Sequence, residues 1–534
     1  MPDLTLFTRL PLAAALLVLA TSLSPGQRLS AQPLPAPASA LPALGEGVEL
    51  PLATERKLGD RIAASIYRDE AYLDDPVLGD YLQAVWLPLM AAARARGELS
   101  PELEERFAWK LFLVRDRSVN AFALPGGYLG VHTGLLATVS TPDELAAVLG
   151  HELSHVSQRH IARLFTQQQK QAPWVMAAMI LGVMAAARSP NGGNLGNAAL
   201  VGGQALAMQG QLNFSRDMER EADRVGFNVL TEAGFSPEGV SGMFEKLQQA
   251  NRFNDTGAFP YLRSHPLTTE RIAEARARVQ HSGHTHAQAQ RPNAGLPSLA
   301  WHAMMAGRAR ALGQPGFEAL QARLNEARQL PAAASAAQSL SVLYAAAWSA
   351  ARLREAATAQ LYLERLSRLA AAQPQAAQTV RAAQQLAVEV ELMLGRSAEA
   401  AAAAVRLQPS GRAELLLQAQ ALLAAGRGGE VVDALQSWIS RQPGDALAWQ
   451  FLAQGLEQQG QAARAVRADA ESRAVQFDYS GAVDRLRAAQ ELLRQGRGVP
   501  SAANQHIEAS IIDTRLRQLQ ALAREQAIED RLNR

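Results

Sequence analysis

Thr141-Pro142-Asp143-Glu144-Leu145-Ala146-Ala147-Val148-Leu149-Gly150-His151-Glu152-Leu153-Ser154-His155-Val156 decides how this chain reads. Thr141 suits a helix N-cap, Pro142 suits the first helical position, and Glu144 three residues after the cap completes a capping box. Leu145, Val148, Leu149 and Val156 recur at helical spacing, so the helix has an apolar face to bury. Within it, His151 to His155 is H-E-x-x-H. Residues four apart share a helix face, so both imidazoles reach a single metal ion with Glu152 beside it. Two neutral ring nitrogens and a neighbouring carboxylate begin a hydrolytic zinc site. The competing reading, an exposed helix with two incidental histidines, leaves the cap and the apolar stripe unexplained.

A catalytic zinc needs a third protein ligand. The next polar helix, 214–230, contains Ser215-Arg216-Asp217-Met218-Glu219-Arg220-Glu221-Ala222-Asp223. Glu219 and Asp223 are four apart and share a face. Glu221 lies about 200° around the helix from Glu219 and cannot serve the same site. Glu219 is the expected ligand. Asp223, one turn on, is positioned to hold the ring N–H of a zinc-bound histidine. His160 falls off the metal face and reads as polar surface. His132 ends a strand and reads as structural, while His281, His284 and His286 read as a solvated connector.

The 534 residues call for two or three domains, and a hydrophobic content of 48% is enough for a sizeable core. The formal net charge is +2, which offers nothing to nucleic acid. Cysteine is absent, which excludes a disulfide framework, a cysteine protease, a thiolate zinc site and lipid attachment through cysteine. Arg9 followed by the apolar run from Leu10 to Leu23 reads as an export signal, with Leu29-Ser30-Ala31 as the cleavage site and an uncleaved anchor as the alternative. Export across a bacterial inner membrane implies the periplasm. The expected organisation is a signal peptide over 1–31, a Pro/Ala linker over 32–51, a metallopeptidase domain over 52–280, a linker over 281–298 and a helical repeat domain over 299–534.

Leu52 to Gly97 is patterned as helix. Phe107 to Val114, Val119 to Leu124 and Tyr128 to His132 read as strands, with a turn at Pro125-Gly126-Gly127. The edge of such a sheet can take an extended peptide, or the sheet can simply pack the metal helix. Trp174 to Met208 is a Gly-, Ala- and Met-rich excursion that reads as a lid or as a core hairpin. Its longest apolar run, Trp174 to Ala187, is too short to span a bilayer.

From Leu299 onward, Ala, Leu, Gln and Arg dominate. Pro374, Pro409 and Pro443 are 35 and 34 apart, and Gly395, Gly426 and Gly460 are 31 and 34 apart. Two helical patterns fill each interval. A 34-residue helix–turn–helix period is the tetratricopeptide signature, and stacked repeats make a solenoid with a concave groove. A generic helical bundle is the alternative. The fold class is therefore mainly α: a metallopeptidase domain with a small β-sheet, followed by an α-solenoid.

H-E-x-x-H, then Ser215-Arg216-x-x-Glu219-x-Glu221-Ala222-Asp223-x-x-Gly226, then Ser264-His265-Pro266 with Glu270-Arg271-Ile272, together resemble the M48 family of zinc metallopeptidases. Asn120-Ala121-Phe122-Ala123 and Pro125-Gly126-Gly127 resemble that family's segment before the metal helix. The resemblance covers roughly Leu58 to Val279. It implies a gluzincin-type metallopeptidase domain with one Zn²⁺ per chain on His151, His155 and Glu219, with Asp223 supporting a ligand and Glu152 as general base. His265 matches a histidine that steadies the oxyanion or occupies the open metal position as a brake. Arg271 matches an arginine whose role is unassigned, with a structural salt bridge as the plain option. A repeat tail on an exported member resembles those M48 peptidases that serve outer-membrane β-barrel assembly. That resemblance implies unfolded or misassembled outer-membrane proteins as substrates, and docking to the barrel assembly machinery through the groove. The competing function is a chaperone or adaptor whose metal site is structural or held shut.

Overall fold

Two long helices open the described residues, and the apolar residues of each recur on one face. They are α1 (Leu52–Tyr67), burying Leu58, Ile62 and Ile66, and α2 (Pro76–Ala95), burying Leu78, Tyr81, Leu82, Val85 and Leu89. Between them runs β1 (Tyr72–Leu73). The computed structural model describes residues 50–167, 215–252, 261–282, 295–408, 411–496 and 502–532. The expected signal peptide, most of the 32–51 linker, the Trp174 to Met208 excursion, and His284 and His286 lie outside the described residues.

After α3 (Pro101–Arg106) come β2 (Lys110–Val114), β3 (Ala121–Leu124) and β4 (Tyr128–His132). The sheet order is β1-β2-β4-β3, with β2 parallel to β4 and both outer strands antiparallel to their neighbours. β2 begins three residues later than its alternation suggests. The Phe107 N–H closes α3 by donating to the Leu103 carbonyl, and Trp109 adopts a φ of 47°, which no strand residue holds. The turn at Pro125-Gly126-Gly127 uses φ values of 72° and 84° at its two glycines, the left-handed region that favours glycine.

Next come α4 (Thr133–Thr138), α5 (Pro142–Ser157), α6 (His160–Gln167), α7 (Arg216–Glu232), α8 (Glu238–Arg252), the short α9 (Tyr261–Ser264) and α10 (Thr269–His281). The described residues from 295 on hold helices and no strand. α11 (Leu299–Gly313), α12 (Phe317–Arg328), α13 (Ala336–Arg352), α14 (Ala356–Ala371), α15 (Ala376–Met393), α16 (Ser397–Val405) and α17 (Arg412–Ala424) follow in order. A 3-10 turn then leads into α18 (Val432–Arg441), followed by α19 (Ala446–Gln458), α20 (Ala462–Val475), α21 (Tyr479–Arg494) and α22 (Ala502–Leu532). The helices α17, α19 and α21 begin at 412, 446 and 479, so the period is 34 then 33 residues. Gly395, Gly426, Gly460 and Gly496 end α15, α17, α19 and α21 with φ between 67° and 78°. These glycines are left-handed C-caps, which is why they recur with the period.

One hydrophobic core runs from Val77 on α2 through Leu149 on α5 to Met304, Tyr344, Leu386 and Leu417 on the helical arm. Residues from Val48 on form one compact unit. No described helix is long and apolar enough to cross a membrane.

His302 on α11 is buried in this core, with Nε2 2.9 Å from the Val139 carbonyl and Nδ1 2.5 Å from the Tyr81 hydroxyl. Burial holds its pKa down at about 4, the Val139 contact opposing only part of the effect. The unfolded chain takes up this proton near pH 6.5 and the folded one near 4, so protonation favours unfolding. Stability in metal-free protein is expected to fall as pH drops from 6.5 towards 4, with His302 contributing up to about 3 kcal/mol. Urea titrations at several pH values check this. His302→Gln should flatten the slope, and equal slopes in both proteins would refute it.

Candidate metal centre

α5 starts as its sequence dictates. The Thr141 hydroxyl accepts from the Glu144 N–H at 3.1 Å, and the Glu144 carboxylate reaches back to the Ser140 N–H at 2.6 Å, one residue beyond the expected capping-box partner. α7 starts on Ser215, whose hydroxyl accepts from the Met218 N–H at 3.2 Å. The two helices cross where both have glycine. A Cβ on Gly226 would lie 3.0 Å from the Gly150 carbonyl and from the His151 nitrogen. This close approach brings Glu219 and Asp223 up to the histidines. Gly226→Val is expected to push the helices apart and lower zinc affinity at least about tenfold, by analogy with the loss of a ligand-supporting contact. Competition with a chelator measures it, and unchanged affinity would refute the crossing as the positioning device.

His151, His155, Glu219 and His265 are all buried, and one ligand atom from each lies within 4.8 Å of the others. Nε2 of His151 is 3.0 Å from Nε2 of His155, and these atoms are 3.5 and 3.4 Å from the two Glu219 oxygens. His265 points Nδ1 into the same space, 3.2 Å from His151 Nε2 and 2.9 Å from Glu219 Oε1. Its ring stacks on Tyr261, with centroids 4.5 Å apart. Glu152 is fully buried beside the cluster. Among the described residues neither of its oxygens makes a hydrogen bond, and His265 Nε2 stands 3.4 Å away.

The second layer is ionic. Asp223 accepts from His151 Nδ1 at 3.0 Å and receives two bonds from Arg271, at 2.7 and 2.8 Å. Arg271 also reaches Glu219 at 2.7 Å and the Pro266 carbonyl at 2.8 Å. The arginine left unassigned by sequence is thus a salt bridge that ties α10 to α7. Burial alone would raise the carboxyls of Glu219 and Asp223. The surrounding imidazoles and Arg271 hold both well below the usual carboxylate range. Burial would lower His151, but Asp223 and Glu219 raise it to about 10, while burial drives His155 well down.

This arrangement fits a divalent cation. Glu152, Glu219 and the largely covered Asp223 set three carboxylates against Arg271 and a His151 whose pKa they raise, so the site keeps an excess of negative charge that a divalent cation would offset. Two imidazole nitrogens and a carboxylate converge on one point, and the nearby Glu152 carboxylate makes no hydrogen bond among the described residues. Two histidines and a glutamate are a donor set that zinc accepts.

One expectation is overturned. His160 is not polar surface but fully buried, with Nδ1 2.9 Å from His155 Nδ1 and Nε2 3.1 Å from Glu221. The reason is a helix break. α5 ends at Ser157 and Arg159 takes a φ of 52°, which folds the start of α6 back under His155. Glu221 is outside the cluster, paired with His160 and with Arg163 at 2.8 Å. His132 bonds Ser118 Oγ at 2.9 Å beside the sheet, and His281 ends α10. β3, an edge strand, packs beside α5.

The family model for Peptidase family M48 matches residues 80–279. The chain is 32% identical over 244 residues to the Beta-barrel assembly-enhancing protease of Escherichia coli strain K12, covering 45% of this chain and 47% of that protein. It is 32% identical over 241 residues to the Beta-barrel assembly-enhancing protease of Yersinia pestis, with the same 45% and 47% coverage. It is also 32% identical over 176 residues to the Metalloprotease LoiP of Escherichia coli strain K12, covering 33% of this chain and 64% of that protein. The match spans about half the length of the two assembly-enhancing relatives.

Proposed function

We propose that this chain, a metallopeptidase by its M48 domain over residues 80–279, is a zinc endopeptidase of the periplasm that degrades misassembled outer-membrane or envelope proteins. The observation that carries the reading is the convergence of His151, His155 and Glu219 beside a buried Glu152 that makes no hydrogen bond among the described residues. Zinc held by His151, His155 and Glu219 would supply Lewis acidity for water and for a carbonyl. Glu152, buried beside those ligands, would serve as general base towards water and then as general acid towards the leaving amine. Asp223 fixes the tautomer of His151 by accepting from Nδ1. Arg271 holds both carboxylates of α7 in register. The outer edge of β3, unpaired among the described residues, offers backbone groups to an extended substrate strand.

Substrate class and place in the cell rest on the relatives named above and on the signal-like 1–31. Outer-membrane barrel proteins would be both clients for assembly and substrates when stalled. The helical arm, with its 34-residue period, supports a tetratricopeptide groove that docks them or the barrel assembly machinery. A second reading has one specific observation in its favour. His265 Nδ1 lies within the ligand cluster as a fourth donor, and four protein ligands make a closed site. In that reading the chain is a chaperone or adaptor with a metal site held shut.

The test is cleavage of casein and of an unfolded outer-membrane barrel by purified protein with its zinc content measured. Hydrolysis dependent on zinc supports the peptidase. A zinc-loaded protein that binds the barrel and cleaves neither substrate supports the adaptor.

A further inference from the structure

We propose that His160 is a positioning residue for the metal site, holding the ring of His155 through Nδ1 and itself held by Glu221. This inference rests on the zinc reading above. The two histidines of H-E-x-x-H are backed differently. The outer nitrogen of His151 meets a carboxylate directly, Asp223 Oδ1 at 3.0 Å. The outer nitrogen of His155 meets an imidazole, His160 Nδ1 at 2.9 Å. His155 faces Glu219 with Nε2, so a metal held there leaves its proton on Nδ1. Nδ1 of His160 must then be the acceptor, and its own proton sits on Nε2, which donates to Glu221 Oε2 at 3.1 Å. Arg163 Nη1, 2.8 Å from that oxygen, steadies the end of the chain. A ligand-supporting acceptor is part of what sets metal affinity, and its loss typically weakens binding 10- to 100-fold.

The backbone is built to deliver this ring. Arg159 accepts a left-handed φ of 52°, and its guanidinium is tied down by Glu55 Oε2 at 3.2 and 3.1 Å and by the Leu50 carbonyl. A continuous helix would carry His160 about 140° around the axis from His155. The break returns it to the far side of the ligand.

Zinc affinity is read by competition with a chromophoric chelator, using zinc itself as the probe. Asn at this position keeps an acceptor oxygen where His160 has Nδ1, and Leu keeps bulk without it. His160→Leu is expected to weaken zinc binding about 10- to 100-fold, and His160→Asn to stay close to wild type. Wild-type affinity in His160→Leu overturns the inference, as does an equal loss in both variants, which would mean the ring only fills space. Should His160→Leu fail to fold, long-range proton–nitrogen correlation on zinc-loaded wild type decides. The expected protons are on Nδ1 of His155 and Nε2 of His160, and a proton on Nδ1 of His160 overturns it. A wild-type chain that takes up no zinc removes the zinc reading instead, and this inference with it.

Discussion

Glu152→Gln is expected to lower peptide hydrolysis by about 10²- to 10⁴-fold, the range for losing a positioned general base. Zinc content should not change, because Glu152 is not among the converging donors. The side chain is fully buried and neither oxygen makes a hydrogen bond among the described residues, so the isosteric amide replaces it with little steric consequence. Glutamine cannot take the proton. Activity equal to wild type with full zinc would mean that this carboxylate plays no part in the chemistry. Rescue of an envelope defect by Glu152→Gln would favour the adaptor reading, and failure of rescue would count against it.

Arg308→Met should give the largest loss of stability among the sites considered. Arg308 on α11 is 1% exposed and joins the two halves of the chain. Its Nε and Nη2 donate to Asp75 at 2.9 and 2.6 Å, and Nη1 and Nη2 donate to Glu389 at 2.5 and 2.6 Å. Nη1 also meets the Tyr344 hydroxyl at 2.9 Å. Asp75 is at the same time the N-cap of α2, accepting from the Leu78 N–H at 2.8 Å. Removing the guanidinium strands two carboxylates in the core, a change that costs about 3–5 kcal/mol. The loss should shrink at low pH, because burial already pushes the Glu389 carboxyl up and protonation relieves the stranded charge. Denaturant titration measures it. Adding Asp75→Asn and Glu389→Gln to Arg308→Met should recover most of the loss. By contrast, the exposed pair of Lys57 with Glu525 should be worth less than about 1 kcal/mol. A loss from Arg308→Met no larger than that would contradict the argument.

The grouping of the candidate ligands on α5 and α7 was legible because four-residue spacing on a helix fixes a face, whatever the tertiary surroundings. Spacing puts Glu219 with Asp223 and sets Glu221 apart from them, but Asp217 and Glu221 share the same spacing, so the choice of Glu219 needed the histidine motif and the family resemblance as well. The recurring Gly395, Gly426 and Gly460 were legible for a similar reason: each is a left-handed cap at the end of a helix. His160 was not legible. Its position depends on Arg159, a non-glycine residue at positive φ, and only the distant Glu55 and Leu50 reveal what holds it there. The start of β2 was misjudged for the same kind of reason at Trp109. The links between the halves were hidden too. Arg381 meets Asp80 at 2.8 Å and Arg412 meets Asp74 at 2.9 Å, across hundreds of residues of sequence, and surface periodicity marks none of these as partners.

The account stands on one metal ion held between two helices. The direct measurement is an anomalous-scattering map at the zinc absorption edge from crystals of the purified chain. The expected result is a single peak about 2.0–2.2 Å from Nε2 of His151, Nε2 of His155 and a Glu219 oxygen. A peak elsewhere, or none in protein that hydrolyses peptides, would contradict it.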